Sequence, residues 1–328
     1  MATIRDVAKR AGVAVTTVSR VLNNRGYISE ETRRKVYAAM DELGYRPNEI
    51  ARALQKQRSF ILGLIVPTVK HPFFGALVHE IERVAAARGY KLMLTHSLME
   101  KEKEAEYLDL LRRHRVDGIV LGSHTLEVDV FRNVRLPLVT FDRRIGEAIP
   151  FICPDNYEGG RLATEHLIAR GARKIVYLSG PLSFDMLSNR RHQAYVDVVR
   201  AHGRTPIVYE FTFQAFESPA EGRYGEEIAR LFHEHPDVDG IFASSDILAY
   251  AAMHVARRLG RKVPEDVKIV GFDDLFLSQT VVPPLTTVRQ PIPAMAERAV
   301  EVLERQIAGG AVEIEHVFPV DLIVRGTT

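Results

Sequence analysis

Five short polar clusters in this 328-residue chain carry side chains suited to holding a hydroxylated ligand: His71-Pro72-Phe73-Phe74, Asp142-Arg143-Arg144, Asn189-Arg190-Arg191, Ser244-Ser245-Asp246 and Asp273-Asp274. An Asp carboxylate accepts two hydrogen bonds from vicinal hydroxyls, and an Arg guanidinium donates in a fixed fork. An aromatic face packs on the apolar face of a sugar or a base. Taken singly, each of these residues also fits a helix cap or a solvated loop. What joins them is position, because each cluster follows a short apolar run or opens a helix. Signs of catalysis are weaker. His233 and His235 lie two apart on a helical stretch and so point to different sides, which suits no metal. No Gly-x-Gly-x-x-Gly, P-loop or His-Glu-x-x-His motif occurs. The lone Cys153, in Phe-Ile-Cys-Pro surroundings, reads as a small core residue. No cofactor and no metal are expected. A sugar-modifying enzyme with an Asp base and a sugar-binding transport protein are the competing classes.

A second kind of chemistry lies at the start of the chain. Thr3 and Asp6 have capping-box spacing, and Ile4, Val7, Ala8 and Ala11 recur at helical intervals until Gly12 stops them. A second helical pattern starts at Val15 and runs through Val18, Val21 and Leu22, leaving Thr16, Thr17, Ser19, Arg20 and Asn23 on other faces. Two short helices across so tight a turn read as helix-turn-helix, the second entering the major groove of DNA. Arg20 can fork onto a guanine edge, Thr16 and Thr17 can bond bases or phosphates, and Val15 can meet a thymine methyl. The bland alternative is a surface helix in an αα-hairpin. A third helix follows Ser29 as N-cap, with Glu30 and Glu31 in its first turn and Val36, Ala39, Met40 and Leu43 on one face. Pro47 then breaks the chain and Asn48 can cap about two further turns, a helix too short to hold in water without packing.

The elements behind the polar clusters follow from the apolar runs. Strands are expected at 61–66, 91–95, 118–121, 136–141, 175–178, 240–243 and 267–272, with helices near 74–88, 101–114, 157–170, 189–202, 222–234, 246–259 and 293–308. Strands this apolar, separated by helices, imply parallel sheets covered on both faces, and the length suits two lobes. In such sheets ligands bind at the carboxyl ends of strands, where the clusters stand. Charge divides the same way. Residues 1–58 hold 12 Lys/Arg against 6 Asp/Glu, and the rest hold 32 against 36, so a basic head precedes a mildly acidic body, as suits a protein that sets only its head on phosphates. No apolar run reaches the roughly 18 residues of a membrane span, and the opening Met1-Ala2-Thr3-Ile4-Arg5-Asp6 lacks a secretory pattern. No membrane partner and a cytoplasmic location are expected.

The runs Thr3-Ile4-Arg5-Asp6-Val7-Ala8, Ala11-Gly12-Val13, Thr17-Val18-Ser19-Arg20-Val21-Leu22-Asn23, Gly44-Tyr45-Arg46-Pro47-Asn48 and Ala51-Arg52-Ala53-Leu54 resemble the lac/galactose repressor (LacI/GalR) family. The resemblance continues through Gly63-Leu64-Ile65-Val66-Pro67, Val116-Asp117-Gly118-Ile119, Asp155-Asn156-Tyr157-Glu158-Gly159-Gly160, Val270-Gly271-Phe272-Asp273-Asp274 and Leu285-Thr286-Thr287-Val288-Arg289-Gln290-Pro291. It implies an all-α helix-turn-helix domain at 1–46 and a hinge helix and linker at 47–59. A two-lobed α/β sensor like the periplasmic binding proteins follows at 60–328, the chain crossing between lobes near 160 and 290. It also implies a homodimer on a near-palindromic operator. DNA-binding positions then fall at Thr3, Val15, Thr16, Thr17, Ser19, Arg20, Asn23, Tyr45, Asn48, Ala51 and Leu54, the last an apolar wedge for the minor groove. Effector positions fall at Phe73, Phe74, Asp142, Arg191, Phe216, Ser245, Asp246, Asp273 and Gln290. The stretch from Gly122-Ser123-His124 through Phe141-Asp142-Arg143 to Gly160 looks most like the sucrose/fructose-operon repressors, with features shared by ribose regulators. A repressor of a carbohydrate operon, controlled by a sugar or sugar phosphate, is therefore expected. A purine or a partner protein as co-repressor stays open, because Phe73 and Phe216 would stack on a base as readily. One departure is Ala14, which stands where the family usually has Ser.

Overall fold

The computed structural model describes residues 2–46, 58–123, 135–211 and 223–328. It divides into two compact units, Met1–Ser59 and Phe60–Thr328. Of the expected hinge and linker, residues 47–57, with Asn48, Ala51 and Leu54, lie outside the described residues, as does Phe216.

In the first unit, α1 (Ile4–Ala11), α2 (Val15–Leu22) and α3 (Glu30–Glu42) enclose a small core of Val7, Ala8, Val18, Val21, Val36 and Ala39. The start of α1 is fixed as its sequence requires. Asp6 N donates to Thr3 Oγ1 and Thr3 N donates to Asp6 Oδ2, closing a reciprocal capping box. Gly12 ends the helix at φ 68°, a left-handed position that costs glycine nothing. Ser29 caps α3 by accepting from Thr32 N at 3.3 Å.

The second unit holds two six-stranded sheets. The first contains β1 (Ile61–Val66), β2 (Lys91–His96), β3 (Gly118–Leu121), β4 (Leu138–Phe141), β5 (Phe151–Pro154) and β11 (Glu315–Phe318), in the order β11-β5-β4-β3-β1-β2. The second contains β6 (Ile175–Ser179), β7 (Ile207–Glu210), β8 (Gly240–Ala243), β9 (Lys268–Asp273), β10 (Thr286–Arg289) and β12 (Asp321–Ile323), in the order β12-β10-β9-β8-β6-β7. The pairings are parallel except that β10 meets β12 antiparallel. The apolar strands are buried because helices cover both faces of each sheet. These helices are α4 (Pro72–Ala87), α5 (Lys101–Arg113), α6 (Asn156–Ala169), α7 (Asn189–Ala201), α8 (Arg223–Glu234), α9 (Asp246–Arg258) and α10 (Ile292–Ile307).

The chain passes between the sheets three times: after β5, after β10, and between β11 and β12. α10 returns to the first sheet and buries Met295, Ala296, Ala299, Val300 and Leu303 in the core that β1 and α4 share. Five strands were not legible as apolar runs: β5, β7, β10, β11 and β12. They are short, rich in Thr or charge, or bounded by proline, and pairing with an established neighbour supplies what their local propensity lacks.

Candidate functional site

In the head, α2 turns Val18 and Val21 inward and leaves Val15, Thr16 and Arg20 exposed, with Thr17 and Ser19 half-buried. These exposed residues form one free face. Ala14, as N-cap, offers only its carbonyl, to Thr17 N at 2.9 Å and Val18 N at 3.2 Å. The amide of Asn23 donates back to Ser19 O at 2.9 Å, so this side chain finishes its own helix. Thr3 is exposed and engaged in the capping box. Tyr45 is half-buried against the head core, where packing accounts for it. Tyr27, which no sequence pattern singles out, is 98% exposed in the loop after α2, near the exposed Arg25.

In the second unit, loops at the strand ends of both sheets line a cavity of about 390 Å³. Phe73, Phe74, Asp142, Arg191, Ser245, Asp273 and Gln290 are all brought to it from separate stretches of sequence. Arg191, on the first turn of α7, anchors the arrangement. Its Nε donates to Asn156 Oδ1 and its Nη1 to Ser244 O, both at 2.7 Å, and its guanidinium lies 3.6 Å above the Phe272 ring. Stacking plus two hydrogen bonds fixes the plane of the fork and leaves Nη2 without a partner among the described residues. Asn156 passes the order on by donating from Nδ2 to Asp142 Oδ1 at 2.7 Å. Asp142 Oδ2 accepts from Ser188 N at 3.0 Å, so this carboxylate ties the loop after β4 to the loop before α7.

Asp273 and Gln290 form the hydrogen-bonding wall. Gln290 Nε2 donates to Asp273 Oδ1 at 2.6 Å, while Asp273 Oδ2 and Gln290 Oε1 are buried and accept nothing from the described residues. Asp273 adopts φ 126°, a backbone state that a side-chain-bearing residue keeps only when its surroundings impose it. Burial, and then the nearby Asp246, push the Asp273 carboxyl well above the usual carboxylate range, against the opposing pull of Arg191. His71 Nδ1 accepts from Phe73 N at 3.3 Å and so caps α4. Burial, followed by the charge of Arg191, pushes this imidazole down to about 4.

Asp246 departs from expectation. It follows a strand as the pattern requires, but its carboxylate turns inward and is not on the cavity wall. It accepts from Leu275 N at 2.8 Å, Ser278 Oγ at 2.6 Å and Thr287 Oγ1 at 2.5 Å, joining the start of α9 to the segment after β9 and to β10. Sequence reasoning passed over Leu98, Met99 and the 180–188 loop, and it placed His71, Ser244 and Asn156 in clusters or motifs without giving them a role in the site. Asn156 could have been found, as a polar residue opening a helix just past a strand; the others leave no periodic signal.

A basic helix-turn-helix unit followed by a two-lobed binding unit with a polar cleft defines a ligand-responsive DNA-binding regulator. Residues 3–48 match the model of the bacterial regulatory proteins of the lacI family, and residues 164–328 match that of a periplasmic binding protein-like domain. The chain belongs to the lacI family of bacterial regulatory proteins. It is 38% identical to the ribose operon repressor of Halalkalibacterium halodurans, over 100% of this chain and 97% of that protein. It is 39% identical to the sucrose operon repressor of Pediococcus pentosaceus, over 98% of this chain and 97% of that protein. Its fold matches the lac repressor dimer bound to operator and an anti-inducer, with TM-score 0.88 and 28% identity over 99% of this chain and 98% of that one. It is a sequence-specific transcriptional regulator and not an enzyme.

Proposed function

We propose that this chain represses a carbohydrate-utilisation operon in the cytoplasm, as a homodimer whose grip on a near-palindromic operator is set by a sugar or sugar phosphate in the cleft. The observation that carries the sugar reading is the pair of unspent buried acceptors, Asp273 Oδ2 and Gln290 Oε1, on the same cavity wall system as the Arg191 fork. A buried polar atom left unpaired costs about 1–3 kcal/mol, and vicinal hydroxyls, each both donor and acceptor, satisfy Gln290 Oε1 and the Asp273 carboxyl in either protonation state. Phe73 supplies an apolar face for the ring, and Ser245 and Asp142 complete the polar edge. The names of the ribose and sucrose operon repressors among its relatives support the same class of effector.

On the DNA side, Val15, Thr16 and Arg20 read base edges, with Thr3, Thr17, Ser19, Asn23 and Tyr45 holding the head in register. Residues 1–46 act as the reader, 47–59 as the hinge that carries Asn48, Ala51 and the Leu54 wedge, and 60–328 as the sensor. Two chains pair so that their hinges meet over the operator centre, and a sugar that favours one lobe arrangement shifts that pairing. A coupling of about 1–3 kcal/mol changes operator affinity about 5- to 150-fold.

The test begins by selecting duplexes from a random pool with the purified chain. The selected duplex is then titrated by fluorescence anisotropy with and without a panel of sugars and sugar phosphates. A two-fold symmetric consensus whose affinity one sugar changes is the expected outcome. Absence of any sequence preference would refute the repressor reading, and equal operator affinity with and without every sugar would refute sugar control.

A further inference from the structure

The second unit carries more acid than base, yet one end of it is basic. Helix α5 runs out into Arg112, Arg113, His114 and Arg115, consecutive exposed residues just before β3. Arg113 is paired with Asp109 at 3.0 Å, whereas Arg112 and Arg115 have no ion pair among the described residues. The glutamates of α5, at 102, 104 and 106, stand in its first half. Asp117 is turned to the start of β1, where its Oδ2 accepts from Phe60 N at 3.0 Å.

Cations in the last turn of a helix answer its dipole, and Arg112 and Arg113 already do so. Arg115 needs another account. It lies past the helix end at φ 52°, in left-handed backbone that lets Val116 N bond back to Leu111 O at 3.3 Å and buries the Val116 side chain. Glycine holds that state freely, and a residue with a side chain holds it only at a cost. Among the described residues, α1, α3, α4, α6, α7, α9 and α10 each run into a glycine at this place, with φ between 57° and 86°, and α2 runs into Asn24. Helix α5 runs into an arginine. Stability is thus given up where it keeps a guanidinium in the open, the mark of a residue held for its chemistry.

This end of the sheet is also where the chain enters the unit. Phe60 sits between Asp117 and Lys91, whose N donates to Phe60 O at 2.8 Å. The segment 47–59 cannot carry Phe60 more than about 50 Å from Arg46, even fully extended. A head seated on DNA therefore keeps the end of α5 near the same duplex. A guanidinium fork matches a phosphate, and phosphate contacts add affinity without reading sequence.

We infer that Arg112 and Arg115 form a second DNA contact made by the sensor unit itself, a sequence-independent grip on the phosphate backbone of the duplex that the head has selected. The inference goes beyond the sugar reading and does not depend on it.

The test measures anisotropy of the full chain on its selected duplex, extended to about 40 base pairs so that both half-sites have flanks, across a range of salt concentrations. Arg115→Gly should weaken binding about tenfold per chain at about 0.1 M salt and flatten the slope of log affinity against log salt by about 1 per chain, as loss of one phosphate contact does. It should weaken binding to a random duplex by the same factor. Its urea midpoint should rise, because glycine relieves the left-handed turn, so the lost affinity is not damage to the fold. Arg115→Lys should keep most of the slope. Arg170→Gln, which removes the same charge from the exposed loop before β6, should leave the slope unchanged. The inference is overturned if Arg115→Gly keeps full affinity and slope, if Arg170→Gln matches it, or if affinity falls on the selected duplex alone. In each case the wild-type chain would still prefer its selected duplex, and the repressor reading would stand.

Discussion

Gly160 sits on α6 where that helix lies against α7, and replacing it with alanine sets two effects of opposite sign against each other. Within a helix, Gly→Ala adds about 1 kcal/mol of stability through backbone propensity alone. At this position, however, a Cβ would lie 2.6 Å from the Arg191 carbonyl oxygen and 2.9 Å from Arg191 Cα and Ala194 Cβ. These are backbone and first-carbon atoms of the facing helix and cannot rotate aside, so α7 must move as a body. Overpacking of this kind costs about 1–3 kcal/mol, which cancels the propensity gain and leaves a net loss of up to about 2 kcal/mol. The same movement carries Arg191 away from Asn156 and Ser244, each now 2.7 Å distant, so ligand affinity should fall together with stability. Gly75→Ala is the control: Gly75 is also helical, but its new Cβ would meet nothing closer than Val69 O at 3.7 Å. Urea unfolding of the two variants reads the difference, provided the slope of free energy against denaturant is unchanged. Should Gly160→Ala gain stability as Gly75→Ala does, the α6–α7 spacing is not set by the missing side chain and the reasoning fails.

Asn156→Asp keeps the acceptor for Arg191 but turns the group facing Asp142 Oδ1, 2.7 Å away, from donor to acceptor. A stability loss of about 1–3 kcal/mol is expected at neutral pH, shrinking toward pH 4 as one proton bridges the two carboxylates. Urea unfolding at both pH values checks this, and a pH-independent loss contradicts it. Burial holds the His71 imidazole at about 4, below its ordinary 6.5, so between these values the unfolded chain takes up a proton that the folded chain refuses. Stability should therefore fall as pH drops through that window, by up to about 3 kcal/mol from this residue. His71→Asn, which can still cap α4 but does not titrate, should lose less over the same range when both proteins are unfolded in urea. Ala14→Ser supplies the missing N-cap hydroxyl and should stabilise α2 by about 0.5–2 kcal/mol. Slower hydrogen exchange at Thr17 and Val18 would register the gain.

The sequence made the helices legible because their apolar faces, caps and stops agree with one another. Ser29, Thr3 and Gly12 mark ends that the fold keeps. Strands buried on both faces, such as Ile61–Val66, announced themselves as apolar runs. Phe151–Pro154 and Thr286–Arg289 did not, since a proline-bounded tetrapeptide and a Thr-rich one become strands only beside a partner already in place. The site divided along similar lines. Strand-end position led to Asp142, Arg191, Ser245 and Asp273, but the same rule led to Asp246, whose direction is decided by three donors remote in sequence. Leu98 and Met99 reach the cleft through left-handed backbone, which no residue pattern encodes.

Neither sheet of the second unit is a continuous stretch of chain. β5 closes the first run of one sheet at Pro154, yet its core still awaits Met295 through Leu303 of α10 and its edge awaits β11. On the ribosome, the lobe begun first is thus completed after nearly the whole of the other has emerged, and it must wait with apolar surface uncovered through about 140 residues of synthesis, at roughly 5–20 residues per second. Nascent chains stalled before and after α10 would differ most in that first lobe, where a chaperone has most to hold.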